Sequence, residues 1–373
     1  MRAATTRVSH LRIAASPATV VYVWSRLAIW AAALLAFAWL PSRHAGGFGA
    51  GLWARWDSGW FVKIAHHGYA SAEGTAAFFP LYPGLVAVIG RVLAGRYALA
   101  GLVVSLAACW VAFELLWRLA EERLGTEGAR RAVLYLAIFP TALFLQAVYS
   151  ESLYLALALA AFALAERGRW TSAAAAAGLA LLTRSAGIAV VCGLAVLAWP
   201  DLRRLAWLAL VPVLFAAFPL GLAWEVDDPW AFLHAQAQWE RHLSWAGPFG
   251  GIWEGVAALG RTPEDFTRRH ALAVNIECLA FLVLFVALLP LVWRRFGRAY
   301  FTYALVSLVL PLSYPGKDFP LISLPRFGLV VFPFFLALAA LGTRPRFDEL
   351  IVSASALLLG LAIAQWVTFQ WVA

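Results

Sequence analysis

Eleven apolar runs divide the chain, and they constrain its fold more than any other feature of the sequence. A membrane-spanning helix needs about 20 apolar residues. Hydrophobic residues make up 63% of the chain and charged residues 13%, whereas a soluble domain carries about 25% charged residues. We therefore predict an all-α, polytopic membrane protein with about 11 transmembrane helices in one domain spanning residues 1–373. The runs are 18–40, 97–117, 131–148, 153–165, 173–182, 187–199, 205–223, 272–293, 300–313, 327–341 and 350–371.

The connections between these runs alternate in character. Compact connections are basic, whereas three long ones are aromatic and polar: residues 41–96, 225–270 and 314–326. Because short basic loops remain in the cytoplasm, we assign them and the N-terminus to that side and the long loops to the outer face. We interpret the first run as a retained helix rather than a cleaved signal peptide, because it is long and contains Trp. Arg26 within it is expected to snorkel toward the basic side.

The charged residues and cysteines exclude several other classes of protein. The net charge of +9 comes from short basic clusters between apolar runs, which is typical of cytoplasmic loops and argues against a nucleic-acid partner. Cys109, Cys192 and Cys278 lie within apolar runs and lack metal-ligand spacing. The adjacent His66 and His67 would diverge on a helix. No nucleotide-binding or nucleophile motif is present, so we predict no cofactor and leave a divalent metal open.

The first outer loop contains "RWDSGWFVKIAHHGY", in which an acid stands between two tryptophans. A helix that begins at Trp53 would place Trp53, Trp56 and Trp60 on one face, lying in the membrane interface with its aromatic side chains toward lipid. Asp57 would then point about 100° away from Trp56, toward protein or an aqueous cleft. Two simpler interpretations remain open: Asp57 caps the helix, or it pairs with Arg55.

Charged side chains at the ends of later runs provide further candidates. Glu151 in "YSESLY" is costly near hydrocarbon unless it is paired, which favours a functional role; a helix start capped by Ser150 is the alternative. Arg184 in "LLTRSAG" separates two short apolar halves and suits either a phosphate anion or an interfacial anchor. Lys317 and Arg326 in the third outer loop suit either a lipid phosphate or snorkelling.

In this order along the chain, several segments resemble the PIG-V-like mannosyltransferases, including the bacterial branch related to the second mannosyltransferase of GPI-anchor assembly. The segments are "RWDSGWFVKIAHHGY", "AFFPLYPGL", "FPTALFLQAVYSESLY", "LLTRSAG" and "LPRFGLVVFPFF". Each alone is weak, but the ordered set is specific. Residues 200–300 match the family only in general character, and no role is carried over there.

The resemblance implies a GT-C glycosyltransferase fold and an active site on the extracytoplasmic face. It implies transfer of a hexose, mannose in this family, from a polyprenyl-phosphate donor to a lipid or glycan acceptor by an inverting displacement. Asp57 corresponds to the family's acid and would be the base, while Arg184 and Arg326 would stabilise the leaving phosphate. The membrane lipids are a further expected partner. The candidate substrate-binding residues are Arg55, Trp56, Lys63, His66, Tyr82, Tyr149, Glu151, Arg184, Lys317 and Arg326.

Two other classes of function are compatible with a chain of this kind. A transporter or flippase for a lipid-linked substrate would have intramembrane charges along a path and repeated halves. Here the candidate charges cluster toward one face and no repeat is visible, which favours the enzyme. A non-catalytic subunit of a membrane complex would keep the fold and dispense with Asp57.

Overall fold

The computed structural model describes residues 16–41, 48–264 and 266–372, and within these ranges most of the chain is α-helical. It contains no β-strand there, only an isolated bridge between Arg241 and Gly316. This confirms the predicted all-α class. The α-helices are α1 (Pro17–Trp39), α2 (Asp57–His67), α3 (Leu81–Val92), α4 (Tyr97–Ile138), α5 (Glu151–Glu166), α6 (Trp170–Thr183), α7 (Gly187–Ala198), α8 (Leu202–Trp207), α9 (Leu210–Phe215), α10 (Ala217–Val226), α11 (Ala231–Gln238), α12 (Pro248–Ala257), α13 (Arg268–Phe296), α14 (Arg298–Ser313), α15 (Leu324–Leu329), α16 (Phe332–Leu341) and α17 (Pro345–Val367).

Among the described residues, five helical segments are long and apolar enough to cross a membrane: Pro17–Trp39, Tyr97–Ile138, Leu202–Val226, Arg268–Phe296 and Pro345–Val367. Shorter apolar helices lie between them, including α6, α7 and α16. These segments support an integral membrane protein, but they do not confirm the count of 11 spans. The single-domain organisation and the assignment of the long loops to the outer face remain predictions. The N-terminal residues 1–15, assigned above to the cytoplasm, lie outside the described residues.

The long element α4 consists of two helical segments separated by a sharp break at Gly125 (φ 71°, ψ 177°). The predicted run 97–117 lies in the first segment, and the predicted run 131–148 begins in the second. A left-handed backbone of this kind is readily adopted by glycine, which has no Cβ. The helix ends at Ile138, ten residues before the predicted end. The chain then follows an irregular path with one 3₁₀ turn, Ala142–Leu145, up to the start of α5.

The segment Leu202–Val226 is interrupted where prolines remove backbone donors. Pro212 cannot donate to the carbonyl of Leu208, and Pro219 cannot donate to that of Phe215. The helix accordingly breaks into α8, α9 and α10 near those carbonyls. The predicted run 205–223 therefore corresponds to three short helices in sequence rather than to one regular helix.

Arg26 does not snorkel as expected. Its side chain is 4% exposed, and its two terminal nitrogens donate to the carbonyls of Ala137 and Ala142, each at 3.2 Å. These carbonyls lie at the end of α4 and in the turn that follows, where the helix provides no internal partner for them. Arg26 therefore fixes the irregular segment that leads to Tyr149 and Glu151.

The predicted division around Thr183, Arg184 and Ser185 is present, because α6 ends at Thr183 and α7 begins at Gly187. At Gly187 the chain doubles back closely on α6. A Cβ added there would lie 2.3 Å from the Cα of Leu181 and 2.4 Å from its backbone nitrogen. This close backbone approach requires glycine and holds Arg184 at the junction.

We expect Gly187→Ala to destabilise the protein by about 1–3 kcal/mol, because backbone atoms must move to admit the methyl group. The melting temperature in detergent should fall, as should any activity that depends on Arg184. Gly360→Ala is the matched control, since nothing lies within 4 Å of its Cβ position and alanine favours a helix. Equal melting temperatures for the two variants would contradict this account of the junction.

Candidate functional site

The start of α2 differs from the predicted interfacial helix. The helix begins at Asp57 rather than at Trp53, and a 3₁₀ turn, Ala50–Trp53, precedes it. Trp53 is fully buried and packs against Trp30 and Trp366, with ring centroids 5.2 and 6.4 Å away. The expectation that the tryptophans face lipid from one helical face is therefore wrong for Trp53, whose indole belongs to the protein core.

The residues before Asp57 are fixed against the C-terminal segment. Trp56 has a positive φ of 49° and packs on Trp366 and Phe369, with centroids 4.7 and 5.0 Å apart. Arg55 is buried and donates to the carbonyls of Trp366 and Val367. A positive φ at a bulky residue is strained and persists only where the surroundings enforce it. This packing sets the direction in which α2 begins.

Both simpler interpretations of Asp57 fail on this geometry. Trp56 occupies the capping position of α2 and no side chain caps the helix, so Asp57 is not its cap. Arg55 binds backbone carbonyls and forms no ion pair with Asp57. Instead, Oδ2 of Asp57 accepts a hydrogen bond from Nη1 of Arg326 at 2.7 Å.

Four charged side chains from distant segments form a continuous chain of alternating charge, which we call the ion-pair chain: Asp57, Arg326, Glu151 and Arg184. Arg326 continues from Asp57 to Glu151, with Nε 3.5 Å from Oε1. The same Glu151 oxygen accepts a hydrogen bond from Nη1 of Arg184. Each member comes from a different place in the fold: the start of α2, the start of α5, the α6–α7 junction and α15.

The members of the ion-pair chain differ in their exposure to solvent. The Glu151 side chain is 2% exposed and that of Arg326 10%, whereas that of Asp57 is 20% exposed. Charges removed from water require close partners, which explains why Glu151 is held between two arginines. Of the two carboxylates, Asp57 is the more accessible to a bound substrate.

Aromatic rings lie close to the central arginine of the ion-pair chain. The Arg326 guanidinium lies 5.3 Å from the ring of Phe144 and 5.4 Å from that of Tyr149, within the range of cation–π attraction. The Tyr149 hydroxyl also accepts from the backbone N–H of Asp57 and donates to the carbonyl of Arg55, each at 3.2 Å. Tyr149 thus links the beginning of α2 to the segment that carries Glu151.

All four members of the ion-pair chain line a cavity of about 630 Å³. This volume lies within the usual range of small-molecule sites, about 300–1,000 Å³. The lining combines these charged side chains with many apolar and aromatic ones. The apolar and aromatic lining residues include Phe61, Ala77, Phe78, Phe79, Phe232, Leu233, Leu310, Pro311, Phe327, Val330 and Val331.

The structure separates the predicted site residues into two groups. Those that line the cavity are Asp57, Tyr149, Glu151, Arg184 and Arg326. Those outside its lining are Arg55, Trp56, Lys63, His66, Tyr82 and Lys317. The packing of Arg55 and Trp56 against the C-terminal segment, described above, turns both away from the cavity.

The remaining residues outside the lining also have other partners. Lys63 lies over the ring of Trp60, and His66 is exposed beside Tyr97. Tyr82 is fully buried and shares a 2.8 Å hydrogen bond with Ser105. Lys317 is exposed and lies 3.7 Å from Glu240. These four positions therefore require no substrate to satisfy their side chains.

Arg241 is a charged residue of the cavity lining that the sequence did not single out. Its Nη1 donates to the carbonyl of Tyr314 at 2.9 Å and its Nη2 to that of Ile322 at 3.4 Å. Burial and the nearby Arg326 together lower the pKa of Arg241 to about 10, and Asp57 opposes this shift. The side chain remains charged at neutral pH. The second outer loop held one weak signal for it, a charged cluster among tryptophans.

In the part of the chain that the structure describes, no group of three or more His, Cys, Asp or Glu side chains is arranged to hold a metal ion. The expectation that His66 and His67 diverge is wrong, because their ring centroids lie 3.9 Å apart with the ring planes inclined at 58°.

Comparisons with known proteins agree with this architecture. The family described as Mannosyltransferase (PIG-V) matches residues 45–198, a range that includes Asp57, Glu151 and Arg184. GPI alpha-1,6-mannosyltransferase 2 of Mus musculus is 35% identical over 193 residues, covering 45% of this chain and 39% of that protein. The Homo sapiens protein of the same name is 36% identical over 131 residues, covering 32% of this chain and 26% of that protein. The predicted resemblance is confirmed, although the chain spans less than half the length of these relatives.

Solved structures show the same fold. ArnT from Cupriavidus metallidurans bound to undecaprenyl phosphate superposes with a TM-score of 0.55, at 18% identity, over 94% of this chain and 65% of that chain. Its apo form gives a TM-score of 0.56 over 95% and 65%, also at 18% identity. At this identity the likeness concerns the fold alone, and it supports the GT-C architecture predicted from the sequence.

We expect Glu151→Gln to lower the free energy of unfolding by about 3 kcal/mol, because it leaves two arginines without their shared carboxylate. Arg184→Gln should be less costly, since its side chain is partly exposed. The double variant should be less destabilised than the sum of the single changes, because the two groups are coupled.

A double-mutant cycle followed by thermal unfolding in detergent measures this coupling. The exposed pair Glu122–Arg167 is the matched control, with side chains 56% and 50% exposed. Its coupling should remain below about 1 kcal/mol. Additive effects at Glu151 and Arg184 would show that the two side chains do not stabilise each other.

Proposed function

We propose that this chain is a membrane glycosyltransferase of the PIG-V mannosyltransferase kind, which transfers a hexose, mannose, from a polyprenyl-phosphate donor to a hydroxyl group of a lipid-linked or glycan acceptor. The family match over residues 45–198 supports the reaction class. We further propose that the reaction takes place on the extracytoplasmic side, where the long loops 41–96, 225–270 and 314–326 would meet.

The charges of the cavity support a phosphodiester donor. Three arginines and two carboxylates line it, which leaves one net positive charge. A polyprenyl-phosphate sugar carries one negative charge on its phosphodiester, so donor and cavity are complementary. The apolar wall formed by residues such as Phe79, Phe232 and Val331 suits the first isoprene units. The fold neighbour ArnT, which has been solved with undecaprenyl phosphate, supports a donor of this kind.

Asp57 would act as the general base in a single displacement. Its carboxylate takes the proton of the acceptor hydroxyl while the acceptor oxygen forms a bond to the anomeric carbon of the donor sugar. The bond from that carbon to the phosphate oxygen breaks, and the lipid phosphate leaves with the bonding electrons. Because attack comes from the face opposite the phosphate, the anomeric configuration is inverted.

The observation that carries this assignment is the unequal environment of the two carboxylates in the cavity. Glu151 is buried between Arg184 and Arg326, whereas Asp57 is bonded to Arg326 alone and remains partly exposed. Arg326 fixes the orientation of the Asp57 carboxylate through Oδ2. The second oxygen of Glu151, Oε2, is buried and has no hydrogen-bond partner in the described structure, so Asp57 is the carboxylate that an acceptor hydroxyl can reach.

We expect Asp57→Asn to lower the kcat of transfer by at least about 100-fold, because an amide cannot take the proton of the acceptor hydroxyl. The purified protein in detergent is offered polyprenyl-phosphate-mannose with a panel of lipid and glycan acceptors, and the mannosylated product is measured. Polyprenyl phosphates that carry glucose or another hexose are tested in parallel, and comparison of their transfer rates identifies the donor sugar.

Asp227→Asn is the matched control for that experiment. Asp227 is exposed and has a left-handed backbone that asparagine also tolerates, so its replacement should leave transfer unchanged. Normal turnover by a folded Asp57→Asn variant would remove Asp57 from the role of base. Absence of transfer by wild type with every donor and acceptor would count against the proposed function itself.

A further inference from the structure

The three arginines of the cavity differ in what neutralises them. Arg326 contacts both Asp57 and Glu151, and Arg184 shares Glu151. The two positive charges of this group are therefore balanced by two negative ones. In the described part of the chain, no carboxylate lies within ion-pair distance of Arg241. The net positive charge of the cavity accordingly resides on Arg241.

Backbone carbonyls hold Arg241 in place without cancelling its charge. The carbonyls of Tyr314 and Ile322 accept one bond each from its terminal nitrogens. A guanidinium has five N–H donors in a planar fork, so further donors remain for a bound anion. The backbone pairing of Arg241 with Gly316 also ties the second outer loop to the third. The side chain is thus positioned before any ligand arrives.

Arg241 also lies close to Arg184 and Arg326, the two arginines of the ion-pair chain. Its guanidinium is 5.8 Å from the ring of Phe327, and those of Arg184 and Arg326 are each 5.6 Å from the same ring. One aromatic ring therefore gathers all three cations around the cavity. The influence of Arg326 and Asp57 on the pKa of Arg241 is a second sign of this proximity.

We propose that Arg241 is the residue that binds the phosphate of the donor, through hydrogen bonds from its guanidinium to the non-bridging phosphate oxygens. The inference deepens the proposed function and rests on it for the identity of the donor. It changes the expectation from the sequence, in which Arg184 and Arg326 would bind the phosphate. Those two arginines instead hold the carboxylates, and Arg241 stabilises the negative charge that develops on the leaving phosphate.

The first test measures binding in the absence of chemistry. Undecaprenyl phosphate and its uncharged analogue undecaprenol are titrated in detergent into wild type, Arg241→Gln and Arg241→Lys. We expect Arg241→Gln to weaken undecaprenyl phosphate binding by about 10- to 100-fold, and undecaprenol binding to be unchanged. Arg241→Lys keeps the charge but loses the planar fork, so its affinity should lie between those of the other two proteins.

The matched control is Arg261→Gln, which makes the same change at an exposed arginine between α12 and α13. Its affinity for undecaprenyl phosphate should equal that of wild type. If both Arg241 variants bind undecaprenyl phosphate as tightly as wild type, the inference is wrong. Equal weakening of undecaprenyl phosphate and undecaprenol would also overturn it, because only the apolar wall would then have been disturbed.

The second test uses transfer kinetics with the donor identified under the proposed function. Arg241→Gln should raise the KM for the donor by about 10-fold or more, leave the KM for the acceptor unchanged and lower kcat. If wild type transfers sugar and the donor KM of Arg241→Gln is unchanged, the inference fails while the proposed function stands. If wild type transfers nothing, the binding experiment still decides the role of Arg241.

Discussion

The arrangement of this site depends on the largely buried guanidinium of Arg326, which lies between the carboxylates of Asp57 and Glu151. A buried carboxylate such as Glu151 is stable only with close cationic partners. The partners come from α15 and from the α6–α7 junction, which are far from Glu151 in sequence. Pairing the charge therefore requires three segments to converge, and the cavity is the space that their convergence leaves.

The backbone around the cavity is irregular for a related reason. A hydrophobic chain that crosses a membrane must bond its own N–H and C=O groups, so helix breaks are tolerated where they are enclosed by protein or line a cavity. The charged residues of the site lie at such places: Asp57 and Glu151 begin helices, and Arg184 follows the end of α6. Side chains at helix ends can project into the cavity while the helices remain intact. Tyr149 and Arg26 then satisfy backbone groups that these breaks leave unpaired.

Local physics explains which of these features could be read from the sequence. Hydrophobic length located α1, α13 and α17, and the polar interruption at Arg184 located the α6–α7 break, because both are properties of short windows. The partners of Arg26 and Arg55 could not be read in the same way, since each is bound by carbonyls more than 100 residues away. The early end of α4 at Ile138 was missed because residues 139–148 are apolar, and apolar composition does not distinguish a helix from a buried irregular segment.

Arg241 shows why charge alone could not have identified the phosphate-binding side chain. Arg26, Arg55 and Arg241 all donate to backbone carbonyls, which are neutral and do not balance the charge of the guanidinium. Arg26 and Arg55 are buried and lie outside the lining of the cavity. Arg241 opens onto the cavity instead. An anion-binding role requires both an uncancelled charge and access, and the second condition exists only once the loops have folded over the site.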